Sequence, residues 1–80
     1  LYVPHDKRYH CEIQYEGELG MFFTSAIGDS LEELADDVRY ELRKVKDRLP
    51  HIVHVEDIHN NNVFTEVFID DYKKGAYNVR

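Results

Sequence analysis

Residues 28–50 read GDSLEELADDVRYELRKVKDRLP, and they carry the clearest local signal in an 80-residue chain. Gly28 and Asp29 interrupt the segment before them, and Ser30 stands three residues ahead of Glu33. That spacing lets the serine hydroxyl and the glutamate carboxylate each satisfy an orphan backbone donor at a helix start, forming a capping box. Leu31, Leu34, Ala35, Val38, Leu42, Val45 and Leu49 then recur every few residues, as one apolar stripe on a helix would. Glu32, Glu33, Asp36 and Asp37 come early and Arg43, Lys44, Lys46 and Arg48 late, which complements the helix dipole. Pro50 cannot continue the helix. The pattern predicts a helix over about residues 30–49.

Upstream of it, Tyr9, Cys11, Ile13 and Tyr15 alternate with His10, Glu12, Gln14 and Glu16. Side chains change face at every strand residue, so this is a strand with one wet side. Gly17 and Gly20 suit a hairpin loop, and Met21 to Ile27 forms the return strand. Downstream, Ile52 to Ile58 predicts a third strand, with Val53 and Val55 on one face and Ile52, His54, Glu56 and Ile58 on the other. His59 and the three asparagines after it mark a turn. Val63 to Ile69, read VFTEVFI, is rich in β-branched and aromatic residues and predicts a fourth strand. Residues 1–8 and the polar tail 70–80 are expected to be peripheral or frayed. The sum is one small α+β domain over residues 1–80, ordered β-β-α-β-β. Its simplest form is a four-stranded, mostly antiparallel sheet with the single helix packed on one face.

Composition narrows the class. Hydrophobic residues make up 42% and charged residues 32%, a folded rather than disordered balance. No apolar run approaches the ~20 residues that cross a bilayer, so no membrane role is expected. Cys11 is the only cysteine, which excludes an internal disulfide and favours a reducing, cytoplasmic setting. Leu1 is not an initiator methionine, as in a fragment or processed product, and Leu1 to Arg8 offers no apolar core of a signal peptide.

The charge is uneven. The net value is −6, yet residues 12–37 alone hold eight carboxylates and no Lys or Arg. Residues 39–48 carry five bases against two acids. An acidic patch attracts cationic surfaces and speeds their encounter. It repels phosphate, so direct nucleic-acid binding is not expected. Glu16, Glu18, Asp29, Glu32, Glu33, Asp36 and Asp37 are therefore the candidate docking residues for a basic protein partner. That partner could itself bind nucleic acid, with the carboxylates standing in for phosphates. The same charges also serve the helix dipole and solubility.

Catalysis is not expected. Cys11 sits among apolar and acidic neighbours, which raise a thiol pKa. Ser25 and Thr24 lack a Gly-x-Ser-x-Gly setting, and Asp36 and Asp37 diverge on a helix. His51 and His59 alternate with His54 instead of converging, and no Cys-x-x-Cys or His-Glu-x-x-His spacing exists. No metal or other cofactor is expected. The last strand offers a different clue, since Phe64 and Phe68 fall on the face opposite Val63, Val67 and Ile69. One helix covers one sheet face, so Phe64, Phe68 and Ile58 are candidates for self-association as a homodimer.

The words YEGELG (residues 15–20) and GDSLEEL (residues 28–34) resemble the core of HicB-type antitoxins, which also run from a hairpin into a Gly-Asp-[Ser/Thr]-Leu-Glu-Glu helix start. The resemblance spans about residues 9–42 and implies a toxin-neutralising role. The reading from the residues is a small acidic binding module that inhibits or modulates a basic partner, in the manner of phage or mobile-element accessory proteins. A regulatory or antitoxin-like domain that uses its exposed sheet face is the alternative.

Overall fold

A computed structural model describes residues 7–45 and 49–77. Strands β1 (Tyr9–Gly17) and β2 (Gly20–Gly28) form the hairpin, followed by helix α1 (Leu31–Lys44), strand β3 (His51–Asp57), the two-residue strand β4 (Asn62–Val63) and a second helix α2 (Thr65–Lys73). The sheet is antiparallel with order β2-β1-β3-β4. Both helices pack on it, α1 against β2 and β1, and α2 against β3.

The start of α1 is built as its spelling predicts. The Glu33 amide donates to the Ser30 hydroxyl at 3.2 Å, and the Asp29 amide donates to the Glu33 carboxylate at 3.0 Å. Leu34, Ala35 and Val38 are buried, and they meet Cys11, Ile13 and Ala26 from the hairpin. The helix is shorter than its apolar stripe. It ends at Lys44, Val45 serves as its C-cap, and residues 46–48 lie outside the described part. Leu49 is exposed in the left-handed region, with φ 52°.

Strand β3 reaches the core through an irregularity. Its pairing with β1 runs Cys11 with Val55 and Glu12 with His54, then Ile13 with Ile52. Val53 is the extra residue of a β-bulge, which resets the alternation. Ile52 therefore joins the same core as Val55, although simple alternation puts the two on opposite faces.

The predicted fourth strand over Val63 to Ile69 is mostly helix. Only Asn62 and Val63 pair with β3, and from Thr65 the chain coils into α2. Phe64, Phe68 and Tyr72 are spaced four apart, so in a helix they share one face. Tertiary contacts set the start: the Phe64 amide donates to the Val55 carbonyl at 3.0 Å, and the Val55 amide donates to the Thr65 hydroxyl at 3.0 Å.

Nor is the stretch after α2 frayed up to Tyr77. Gly75 takes φ 81°, while its amide bonds the Tyr72 carbonyl at 3.1 Å and the Ala76 amide bonds the Asp71 carbonyl at 2.9 Å. These two bonds are a Schellman closure, which glycine makes without steric strain. It turns the chain so that Tyr77 stacks on Phe68, with ring centroids 5.1 Å apart. The Tyr77 carbonyl accepts from Arg39 of α1 at 3.0 Å. Of the other segment expected to be peripheral, Arg8 is tied to Asp57. Residues 1–6 and 78–80 lie outside the described part.

Asp57 is the one buried charged residue of the described part. Arg8 grips both of its carboxylate oxygens at 2.9–3.1 Å, and the Asn60 amide adds a bond at 2.9 Å. The Arg8 bonds, with help from Asn60, hold the Asp57 carboxyl down at about 2. An unfolded aspartate titrates near ~3.9, so the folded state binds the proton more weakly. The stabilisation is complete above about pH 4 and is lost as pH falls toward 2. Urea titrations across that range should show an acid limb that is flatter in Asp57→Asn, with lower stability at neutral pH. An unchanged limb would show that the clamp carries no linkage.

Candidate functional site

The acidic candidates do not form one patch. Glu16 and Glu18 lie at the hairpin tip, whereas Asp29, Glu32, Glu33, Asp36 and Asp37 lie at the start of α1, beside the other end of β2. Gly20 to Gly28 spans roughly 27 Å at about 3.4 Å per residue. That exceeds the ~8–10 Å screening length near physiological salt, so the two groups act as separate fields.

Most of the helix-start carboxylates also have structural work. Asp29 pairs with Lys7 at 3.3 Å, and Glu33 closes the capping box. Asp36 pairs with Arg39 on the next helical turn. The Asp37 carboxylate accepts the backbone amide of Ile27 at 3.0 Å, holding the helix to the strand edge. Glu16, Glu18 and Glu32 are exposed and make no side-chain hydrogen bond or ion pair among the described residues. A shallow hollow of about 360 Å³ lies among Glu33, Asp36, Asp37, Ile27 and Lys7.

Strand register reveals an acidic surface that sequence proximity does not. The sheet face away from the helices presents His10, Glu12, Gln14 and Glu16 from β1, with Met21, Phe23, Ser25 and Ile27 beside them on β2. On the other side of β1, His54 stands opposite Glu12 and Glu56 opposite His10. The His54 Nε2 and the Glu56 carboxylate are hydrogen-bonded at 2.6 Å, and the Gln14 amide contacts the Met21 sulfur. Met21, Phe23 and Val63 are each more than half exposed, at 55%, 57% and 58%. The four strands contain no Lys or Arg. The open face therefore joins three carboxylates, Glu12, Glu16 and Glu56, to exposed apolar side chains. Of these three, only Glu16 was among the sequence candidates. The alternation of β1 already placed Glu12 on this face, while Glu56 needed the register.

The self-association candidates sit elsewhere than expected. Phe68 is fully buried, stacked between Tyr72 and Tyr77. Phe64 is half-buried, edge-on to Tyr9 and Phe68, and Ile58 is half-buried in a 3₁₀ turn (Ile58–Asn60). A helix has carried the two phenylalanines under the sheet, so they form no exposed apolar face. Exposed aromatics lie at the hairpin, where Phe22 stacks on Tyr15 and Phe23 turns to the open side, and at Tyr40 on α1.

The remaining chemistry is sparse. Burial, with Glu12 and Asp37 nearby, pushes the Cys11 thiol up to about 12, and the residue is sealed in the core. Among the described residues, no three His, Cys, Asp or Glu side chains gather to hold a metal. A groove of about 380 Å³ between α1, α2 and the start of β3 is walled by Leu42, Pro50, Ile52, Ile69 and Tyr72, with His51 and Lys73 also lining it. No described helix is long and apolar enough to cross a membrane. The chain matches no family model, no curated protein and no solved structure.

Proposed function

We propose that this chain is a non-enzymatic protein-binding module that docks on a basic protein and inhibits or modulates it. The observation that carries this reading is the open sheet face, where Glu12, Glu16 and Glu56 flank exposed Met21, Phe23 and Val63 on strands without Lys or Arg. Carboxylates around apolar contacts steer a cationic surface and then offer it something to bury. The same face repels phosphate, so the partner is a basic protein rather than nucleic acid itself. A protein that handles nucleic acid is the natural class. A reducing, cytoplasmic setting fits a chain whose only cysteine is a buried free thiol.

Glu18 lies next to this face at the hairpin tip, and Glu32, Asp29 and Asp36 form a second acidic flank. Self-association belongs to the same reading, but on the uncharged edge of β2 rather than at Phe64 and Phe68. The antitoxin-like or regulatory alternative uses the same open face, and exposed Met21 and Phe23 favour it. There the apolar contacts dominate and the carboxylates only solubilise.

Capture from host lysate, with identification of what binds, compares the native chain with variants. Glu12→Lys with Glu16→Lys should cut capture about tenfold or more at low salt, with an unchanged circular dichroism spectrum. Capture that survives this pair but fails with Glu32→Lys would move the docking site to the helix start. Capture insensitive to salt and to every reversal, yet lost in Met21→Ala, would favour the apolar alternative.

A further inference from the structure

β2 is an edge strand, with no described strand beyond it in the sheet order. In an antiparallel pair, alternate residues turn their N–H and C=O away from the partner strand. Ile27 is one of these, since its amide leaves the sheet to reach Asp37. The pairing with β1 is unbroken from Gly28 to Gly20, so by parity Met21, Phe23 and Ser25 also turn their backbone groups outward. No described residue bonds those groups.

Proteins usually blunt such an edge with lysine, proline or a bulge. β2, read GMFFTSAIG, has no charge, no proline and no break in register. At the opposite side of the sheet, β4 is only two residues long.

We propose that β2 pairs antiparallel with β2 of a second copy, about a two-fold axis at Phe23. In that register Phe23 faces its own counterpart and Met21 faces Ser25. Each of these pairs exchanges two backbone hydrogen bonds, and pairing stops at Ile27, whose amide Asp37 already holds. Two features select a second copy as the occupant. The register is self-complementary, as an isologous contact requires. The chain carries −6, and uncharged residues 20–28 let two copies meet without opposing carboxylates on the paired strands. This inference deepens the self-association part of the proposed function and needs no basic partner.

Sedimentation equilibrium at low to high micromolar concentration reads the dimer directly. Phe23→Lys places two ammonium groups face to face and should weaken the dimer about tenfold or more, with an unchanged circular dichroism spectrum. Phe23→Cys brings two sulfurs together across a pair whose Cα atoms lie about 5.5 Å apart, within disulfide reach. Oxidation should yield a covalent dimer that a reductant reverses, and buried Cys11 leaves Phe23→Cys as the reacting site. A native chain that stays monomeric at high micromolar concentration overturns the proposal and leaves the edge to a foreign strand. So does a dimer that survives Phe23→Lys and gives no disulfide in Phe23→Cys. Should Phe23→Lys unfold, the cysteine variant decides. Neither measurement involves the basic partner, so failure here leaves the capture result standing, and the converse holds.

Discussion

Replacing Phe68 with alanine is expected to leave a chain that is largely unfolded at room temperature. The ring is fully buried and touches Phe64, Tyr72 and Tyr77, so its removal opens a cavity where α2, the C-terminal turn and β3 meet. Phe→Ala at a buried site costs about 3–5 kcal/mol. A core in a chain of this size rarely supplies more than about 3–5 kcal/mol in total. Val67, one position earlier, is 60% exposed, and Val67→Ala should change stability by less than about 0.5 kcal/mol. Urea unfolding of the two variants by circular dichroism makes the comparison. The contrast also separates two structures for residues 63–69. In a strand that leaves Phe68 on an open face, Phe68→Ala would be mild and would affect only association. In a helix, it removes the keystone of a five-ring cluster that begins at Tyr9. A folded Phe68→Ala with near-native stability would mean that α2 does not seat on β3 as described.

That pair of adjacent residues shows where sequence reasoning succeeds and where it stops. The start of α1 was legible because all of its determinants are local: Ser30 and Glu33 find each other within one turn, and Leu34, Ala35 and Val38 share a face by helical period alone. The hairpin was legible for the same reason, through the alternation from Tyr9 to Glu16. α2 was not, because VFTEVFI has the composition of a strand. Its helical state depends on the bonds of Phe64 and Thr65 to Val55, which sequence does not display. The four-residue spacing of Phe64, Phe68 and Tyr72 was the available signal. Gly75, with two lysines before it, was the matching stop. The bulge at Val53 was hidden too, since one extra residue silently exchanges the faces of β3 and brings Ile52 inward.

The site followed the same division. Carboxylates close in sequence, from Glu16 to Asp37, are separated by the length of a strand, and those at the helix start are largely engaged by Lys7, Arg39 and backbone amides. Carboxylates far apart in sequence, Glu12 and Glu56, share one face because β1 sits between β2 and β3. Charge counted along the chain therefore detects acidity without locating the surface that bears it. Register is the quantity that locates it, and it depends on long-range pairing.

Gly28 is where the two halves of the fold lock together, and Gly28→Ala should be strongly destabilising. The residue closes β2 and is buried against the first turn of α1. A Cβ placed there would lie 2.5 Å from the Leu34 nitrogen, 2.9 Å from the Glu33 carbonyl carbon and 3.0 Å from the Glu33 Cβ. The two nearest atoms belong to backbone, so no rotamer change relieves the contact, and α1 must lift from the strand. Lifting it strains the Ser30–Leu34 hydrogen bond at 2.9 Å and the capping box, and it draws Leu34 and Ala35 out of the core. Overpacking of this kind costs about 1–3 kcal/mol and occasionally more, and a clash with backbone belongs at about 3. Gly75→Ala is the control. Gly75 takes φ 81°, with open space around it. Its cost is conformational strain of about 1–2 kcal/mol. Thermal unfolding of the two variants should therefore rank Gly28→Ala as clearly the worse. Amide hydrogen exchange should show protection lost first at Leu34 and Ala35 in that variant alone. Equal effects at Gly28 and Gly75 would mean that the helix start does not rest directly on the strand, and with it would go the anchoring that lets Asp37 guard the end of the β2 edge.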